Sequence, residues 1–326
     1  MLKKNIDKLL SKKAALWVQD DGIQRHGISK IMRWAKRYNR WRYAGRIKAH
    51  QKAYDSERET LMVENGAPSG FKPRNIMKDG WAIDTSGTLP HLAELLEQGG
   101  EMVRERGGKT HSDVQQPFLR NIMFPGDMGK YPALLDFITS HEVMGTVMDY
   151  MQTIPVFSQT RPPGVRFMES NDALDPDSDG PYRSSQFYHL DVHDTPLVYV
   201  LVLIEDVTIE GGPWTFLPMS VSDRASEALR YQEKGVPYRV TDEAMYAVVD
   251  PEEAITFAYP KGTVLFIDSS RCFHYGSRKA IDPRFQLMYA YTSVCRADFS
   301  QTFMGAFRAP IDAGDSRLRK MVLSKR

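Results

Sequence analysis

Between residues 165 and 294 the chain reads as seven short strand-like segments: VRFME, SSQFYHLDV, LVYVLVLI, WTFLP, AITFAY, TVLFID and FQLMYAYTSV. Each is rich in β-branched or aromatic residues and is bounded by turn formers. Parallel neighbours need a crossover of a dozen or more residues, usually helical. Here one helical stretch interrupts the series, at residues 222–234. The strands must therefore pair antiparallel, in a sandwich or a barrel. Upstream, DGWAID at residues 79–84 reads as a short strand, and residues 89–106 and 132–151 carry apolar residues at helical spacing. The expected class is α+β with a mainly β core and supporting helices.

Composition bears on compartment and on what lies outside that core. The 326 residues are 42% hydrophobic and include 15 Phe, 15 Tyr and 5 Trp, enough apolar volume to exclude a disordered chain. Two cysteines, Cys272 and Cys295, exclude a disulfide scaffold or a four-cysteine zinc site and read as reduced thiols. No apolar run approaches the ~20 residues that span a bilayer, and the basic N-terminus lacks the apolar stretch of a signal peptide. A cytoplasmic location is expected. Charge is unevenly placed: residues 1–50 hold 14 Lys or Arg against three Asp, a net +11, so within an overall +2 the rest carries −9. Ile31, Trp34, Tyr38 and Trp41 recur at helical spacing beside Arg33, Arg37 and Arg40. Such a helix suits packing on the main domain, an anionic membrane surface, or another polyanion. The expected organisation is a basic helical extension over 1–74, the β-rich main domain with its helices over 75–310, and a basic tail over 311–326.

His189-Leu190-Asp191 falls on one expected strand, where residues two apart share a face. His274 follows the strand TVLFID after a short turn, placed to join them. Two histidines and a carboxylate on one octahedral face leave positions open, the donor set suited to Fe(II) that also binds a co-substrate and dioxygen. Arg284 comes ten residues after His274, on the strand expected beside it. Its guanidinium matches a carboxylate in a two-pronged contact. His193 also lies two residues from Asp191 and competes as a ligand; it reads better as a pocket wall. Arg278 competes with Arg284 but falls in a turn. Trp214 either lines the pocket or plugs the barrel, and Tyr188 reads as a rim residue.

The ordered set YHLDVHD, GGPWTFLP and PKGTVLFIDSSRCFHYGS followed by Arg284 resembles the phytanoyl-CoA dioxygenase-like branch of the Fe(II)/2-oxoglutarate-dependent oxygenases, over about residues 78–300. That resemblance implies a double-stranded β-helix, the jelly roll shared with cupins. It also implies iron held by His189, Asp191 and His274, with Arg284 binding the far carboxylate of 2-oxoglutarate. The chain departs from the family at Pro218-Met219-Ser220-Val221, where members often read Pro-Gly-Ser-His. The family's aromatic co-substrate contact falls at Leu201 here, which carries no such role. The implied activity is a dioxygenase consuming Fe(II)-bound 2-oxoglutarate and dioxygen to hydroxylate an unactivated C–H bond of a small molecule, lipid or sugar-type metabolite. Two other classes fit the residues: a cupin-like metal enzyme without 2-oxoglutarate, and a binding protein acting through its basic arm with an idle barrel.

Overall fold

The structure, a computed structural model, describes residues 28–109, 118–158, 164–295 and 309–324. Among the described residues there are ten strands: β1 (Trp81–Asp84), β2 (Arg120–Asn121), β3 (Val156–Phe157), β4 (Val165–Ser170), β5 (Val198–Leu203), β6 (Thr215–Phe216), β7 (Ile255–Thr256), β8 (Val264–Asp268), β9 (His274–Tyr275) and β10 (Arg284–Thr292). The helices are α1 (Ile28–Arg42), α2 (Ala44–Glu64), α3 (Leu92–Arg106), α4 (Asp127–Lys130), α5 (Ala133–Ile138), α6 (His141–Met151), α7 (Met219–Ala228), α8 (Asp242–Tyr246) and α9 (Arg317–Leu323).

The larger sheet runs β1-β8-β5-β10-β4-β2, with β3 also on β10, and the smaller runs β7-β6-β9. Every pairing is antiparallel. Isolated bridges from Tyr188 to Val240 and from His189 to His274 extend the smaller sheet beyond β9. From β4 onward the chain passes to the smaller sheet at His189, returns at β5, crosses again for β6 and β7, and returns at β8. It then crosses at β9 and returns at β10. That alternation is a double-stranded β-helix, as expected.

Burial explains why these strands read as continuous apolar runs rather than as alternations. Along β5, Val198, Val200 and Val202 face the helices, in one core with Leu95, Leu134 and Val147. Tyr199, Leu201 and Leu203 face the barrel interior with Phe216 and Phe257 from the smaller sheet. Both faces are buried, so both are apolar. The period of two also sends Phe285, Leu287 and Tyr289 of β10 to the helices, and Arg284, Gln286 and Met288 toward the pocket. A third core, with Tyr188, Leu190 and Phe273, covers the outside of the smaller sheet under α7 and α8.

Several expectations are corrected. The stretch 132–151 is two helices, α5 and α6, because Thr139 and Ser140 favour caps over helix interiors; Thr139 Oγ1 donates to Leu135 O at 2.7 Å. The helix expected at 222–234 starts earlier and ends sooner, giving way to left-handed backbone at Arg230 and Gln232. SSQFYHLDV is a 3-10 turn over Ser184–Gln186 followed by isolated bridges, not a full strand. The long helix α2, with its sparse apolar positions, escaped the periodicity reading. It buries His50, Ala53, Leu61 and Met62. On α1, Trp34 and Trp41 are 54% and 66% exposed, and Lys36 Nζ donates to Thr195 O; the side chain of Ile31 lies outside the described residues. Cys272 and Cys295 are both buried and unbonded to each other. Among the described residues no helix is long and apolar enough to cross a membrane.

Candidate active site

His189 and His274 pair directly across the smaller sheet, each amide donating to the other's carbonyl at 3.1 Å. Two residues on, the Asp191 amide donates to Ser269 O at 2.9 Å, which fixes the carboxylate beside the pair. One donor atom from each of His189, Asp191 and His274 falls within 4.8 Å of the others. His274 Nε2 stands 3.7 Å from Asp191 Oδ2. Among the described residues no other group of three metal-type side chains converges this way, and His193 stays outside it.

The backbone aims the two imidazoles. His189 Nδ1 pairs with Phe187 O and His274 Nδ1 with Cys272 O, both at 2.9 Å. As donors to carbonyls, the Nδ1 atoms carry the protons and leave both Nε2 lone pairs free to bind a cation. Desolvation lowers both histidine pKa values, His189 well below the usual range, with Arg239 adding to the effect at His189. Burial pushes Asp191 up, but the neighbouring histidines outweigh it and bring the carboxylate down to about 2. At neutral pH the trio is therefore two neutral imidazoles and one carboxylate.

The turn before His274 is braced by Asp268 at the end of β8. Its carboxylate accepts from Ser270 Oγ at 2.6 Å and from Tyr150 Oη on α6 at 2.8 Å. Trp214 both lines the pocket and stacks on His274, with centroids 4.5 Å apart and an 11° interplanar angle. The indole fits because residue 276 is glycine: a Cβ there would stand 2.7 Å from Trp214 Cδ1. Gly276→Ala should therefore lower the unfolding free energy by about 1–3 kcal/mol, the range for overpacking. Urea unfolding curves with unchanged slope and a lower midpoint would record it.

Arg284 lies across the barrel from the trio, on β10 of the larger sheet. The expectation that its strand pairs beside His274 is corrected: β9 belongs to the smaller sheet, and the two residues face one another through the interior. Arg284 is 2% exposed. It donates to Gly211 O at 3.2 Å, Gln286 Oε1 at 2.7 Å, Ser170 Oγ at 3.1 Å and Ser277 Oγ at 3.0 Å. All four acceptors are neutral. Among the described residues no carboxylate comes within ion-pair distance, and burial alone pulls the guanidinium down to about 10, still charged at neutral pH. Arg278, the competing cation, is occupied elsewhere by a two-pronged pair with Asp242 at 2.8 and 2.9 Å.

The trio and Arg284 line one pocket of about 180 Å³. Three of its other residues escaped the sequence reading. Tyr199 shares the inward face of β5 with Leu201 and stands beside the Asp191 carboxylate and the Arg166 guanidinium, whose charges act on its hydroxyl. Arg166 comes from β4 and Arg239 from the segment that pairs with Tyr188. Tyr188 itself is no rim residue: it is fully buried behind the sheet, its hydroxyl 2.9 Å from that of Tyr246.

No protein-family model matches the chain, and no curated protein matches it. It is similar to several solved structures. EvdO2 from Micromonospora carbonacea var. aurantiaca is 16% identical with a TM-score of 0.43, over 67% of this chain and 88% of that one. The non-heme alpha ketoglutarate dependent epimerase SnoN from nogalamycin biosynthesis is 12% identical with a TM-score of 0.41, over 72% and 82%. EctD from S. alaskensis, solved with 2-oxoglutarate and 5-hydroxyectoine, is 13% identical with a TM-score of 0.40, over 66% and 72%. Likenesses this loose carry no argument about function, which rests on the site.

Proposed function

We propose that this protein is an Fe(II)- and 2-oxoglutarate-dependent dioxygenase that hydroxylates an unactivated C–H bond of a small molecule. The observation that carries the reading is Arg284, a buried cation with only neutral partners, opposite a converging His-Asp-His trio in one pocket. A guanidinium kept out of water without an anion is costly, and a ligand carboxylate relieves that cost. The donor set fits ferrous iron: two neutral imidazoles with open Nε2 atoms and an ionised carboxylate leave room for a chelating co-substrate and for dioxygen.

When bound, iron with 2-oxoglutarate and dioxygen supplies an oxidant able to attack an unactivated C–H bond, with release of succinate and carbon dioxide. The chain's own residues hold and aim. His189, Asp191 and His274 would hold the metal, and the carbonyls of Phe187 and Cys272 keep the imidazoles from turning. Arg284 anchors the far carboxylate of 2-oxoglutarate, with the Gln286 amide and the Ser170 and Ser277 hydroxyls holding its guanidinium flat. Trp214 walls His274 against water. A cupin-like enzyme without 2-oxoglutarate would have no use for an unpaired arginine at this depth.

The test is succinate formation in air from Fe(II) and 2-oxoglutarate, alone and with pooled metabolite extract. Purified protein should release succinate slowly on its own and faster with extract, and His274→Ala should abolish both. Succinate at the background of His274→Ala in every mixture would overturn the proposal.

A further inference from the structure

The pocket holds more positive charge than iron and 2-oxoglutarate can use. Arg166, Arg239 and Arg284 line it, and Asp191 is the sole carboxylate among the described residues that do so. On the oxygenase reading, on which this inference rests, the metal's two charges are balanced by Asp191 and the chelating carboxylate, and Arg284 by the far carboxylate. Arg166 and Arg239 are left over.

Each of the two leaves a hydrogen bond unmade within the protein. Arg166 Nε and Arg239 Nη1 are both buried and have no hydrogen-bond partner. Arg166 lies 5.5 Å from the centre of the Tyr199 ring, and Arg239 lies 4.8 Å from the centre of the Tyr238 ring. Among the described residues no carboxylate pairs with either guanidinium. Their placement is fixed by backbone register. Val240 and Tyr188 exchange backbone hydrogen bonds at 2.9 and 3.0 Å, so in this antiparallel pairing Arg239 stands opposite His189 and on the same face. Arg166 is paired with Met288, another pocket residue, across β4 and β10. Two guanidinium groups, each with an unmade hydrogen bond, thus border the metal position from the smaller and the larger sheet.

We propose that the substrate carries an anionic group, a carboxylate or a phosphate, held by Arg239 and Arg166 beside the metal position. Guanidinium groups match either oxyanion with paired hydrogen bonds. The anion completes the two unmade bonds and supplies the charge that the pocket lacks. A neutral lipid or an unmodified sugar leaves both arginines as they are, so the site selects acids or phosphorylated metabolites.

The experiment is calorimetric titration of protein loaded with Mn(II) and 2-oxoglutarate, using inorganic phosphate, hexanoate and, as a neutral control, hexanamide. At least one anion should bind at millimolar concentration, and hexanamide should not. The stronger anion shows which oxyanion the site prefers. Arg239→Gln and Arg166→Gln should each weaken that anion at least tenfold while leaving 2-oxoglutarate affinity within threefold, and Arg239→Lys should recover part of the loss. A tenfold loss of 2-oxoglutarate affinity in either Gln variant would assign that arginine to the co-substrate and overturn the proposal. So would anion binding that is absent from the wild type or unchanged in both variants. Failure of the wild type to bind 2-oxoglutarate at all would instead overturn the oxygenase reading, and this inference with it.

Discussion

Arg284→Ala should raise the dissociation constant for 2-oxoglutarate by about two to four decades while iron stays bound. The direction follows from the partners: Gly211 O, Gln286, Ser170 and Ser277 are all neutral, so the co-substrate's carboxylate is the one anion offered to this cation. Truncating one member of a buried charge pair costs about 3–5 kcal/mol, and each 1.4 kcal/mol is tenfold in affinity. Arg284→Lys keeps the charge but loses the fork, and an intermediate defect is expected. Arg278 offers no substitute, because Asp242 already occupies its guanidinium. Wild-type affinity in Arg284→Ala, measured by titrating 2-oxoglutarate into anaerobic Fe(II) protein, would remove Arg284 from the site.

The second large effect concerns the metal. His189→Ala and Asp191→Ala should each lower iron affinity by at least about 100-fold, since loss of mere supporting contacts to metal ligands already costs 10–100-fold. His193→Ala should retain full iron, because His193 stands outside the converging group although it lies as near Asp191 in sequence. Metal content after anaerobic loading and desalting reads this directly. Full occupancy in His189→Ala with loss in His193→Ala would show that the other histidine is the ligand. Dilute acid should also strip the metal, because protons compete for the imidazoles. The lowered histidine pKa values place that loss below, not above, their ordinary titration range.

The structure brings His189, Asp191 and His274 together and sets Arg284 in the same pocket. The two-residue period put His189 and Asp191 on one face, whereas His274 and Arg284 came from chain order and the family resemblance, and the side-by-side strands expected for those two lie in opposite sheets. Arg239 was not legible, because its placement depends on Val240 returning to pair with Tyr188 after an excursion of some fifty residues through α7. Arg166 and Tyr199 lay in recognised strands, but each strand is buried on both faces, so alternation did not reveal which face was the interior. The signal available was two charged residues, Arg166 and Glu169, within VRFME and a tyrosine within LVYVLVLI, polar side chains in strands that are otherwise apolar. The full strand expected around His189 shrank to two bridges because a 3-10 turn at Ser184–Gln186 leads directly into it. Turn geometry of that kind is not written in hydrophobic periodicity.

The measurement that bears most directly on the whole account is the visible spectrum of the wild-type protein, loaded anaerobically with Fe(II), as 2-oxoglutarate is added. A 2-oxo acid chelating ferrous iron gives a charge-transfer band that neither component shows alone. The trio and Arg284 together predict a band that saturates at one 2-oxoglutarate per bound iron and is lost in Asp191→Ala. Stoichiometric iron with no band at saturating 2-oxoglutarate would contradict the account and leave a metal enzyme of another kind.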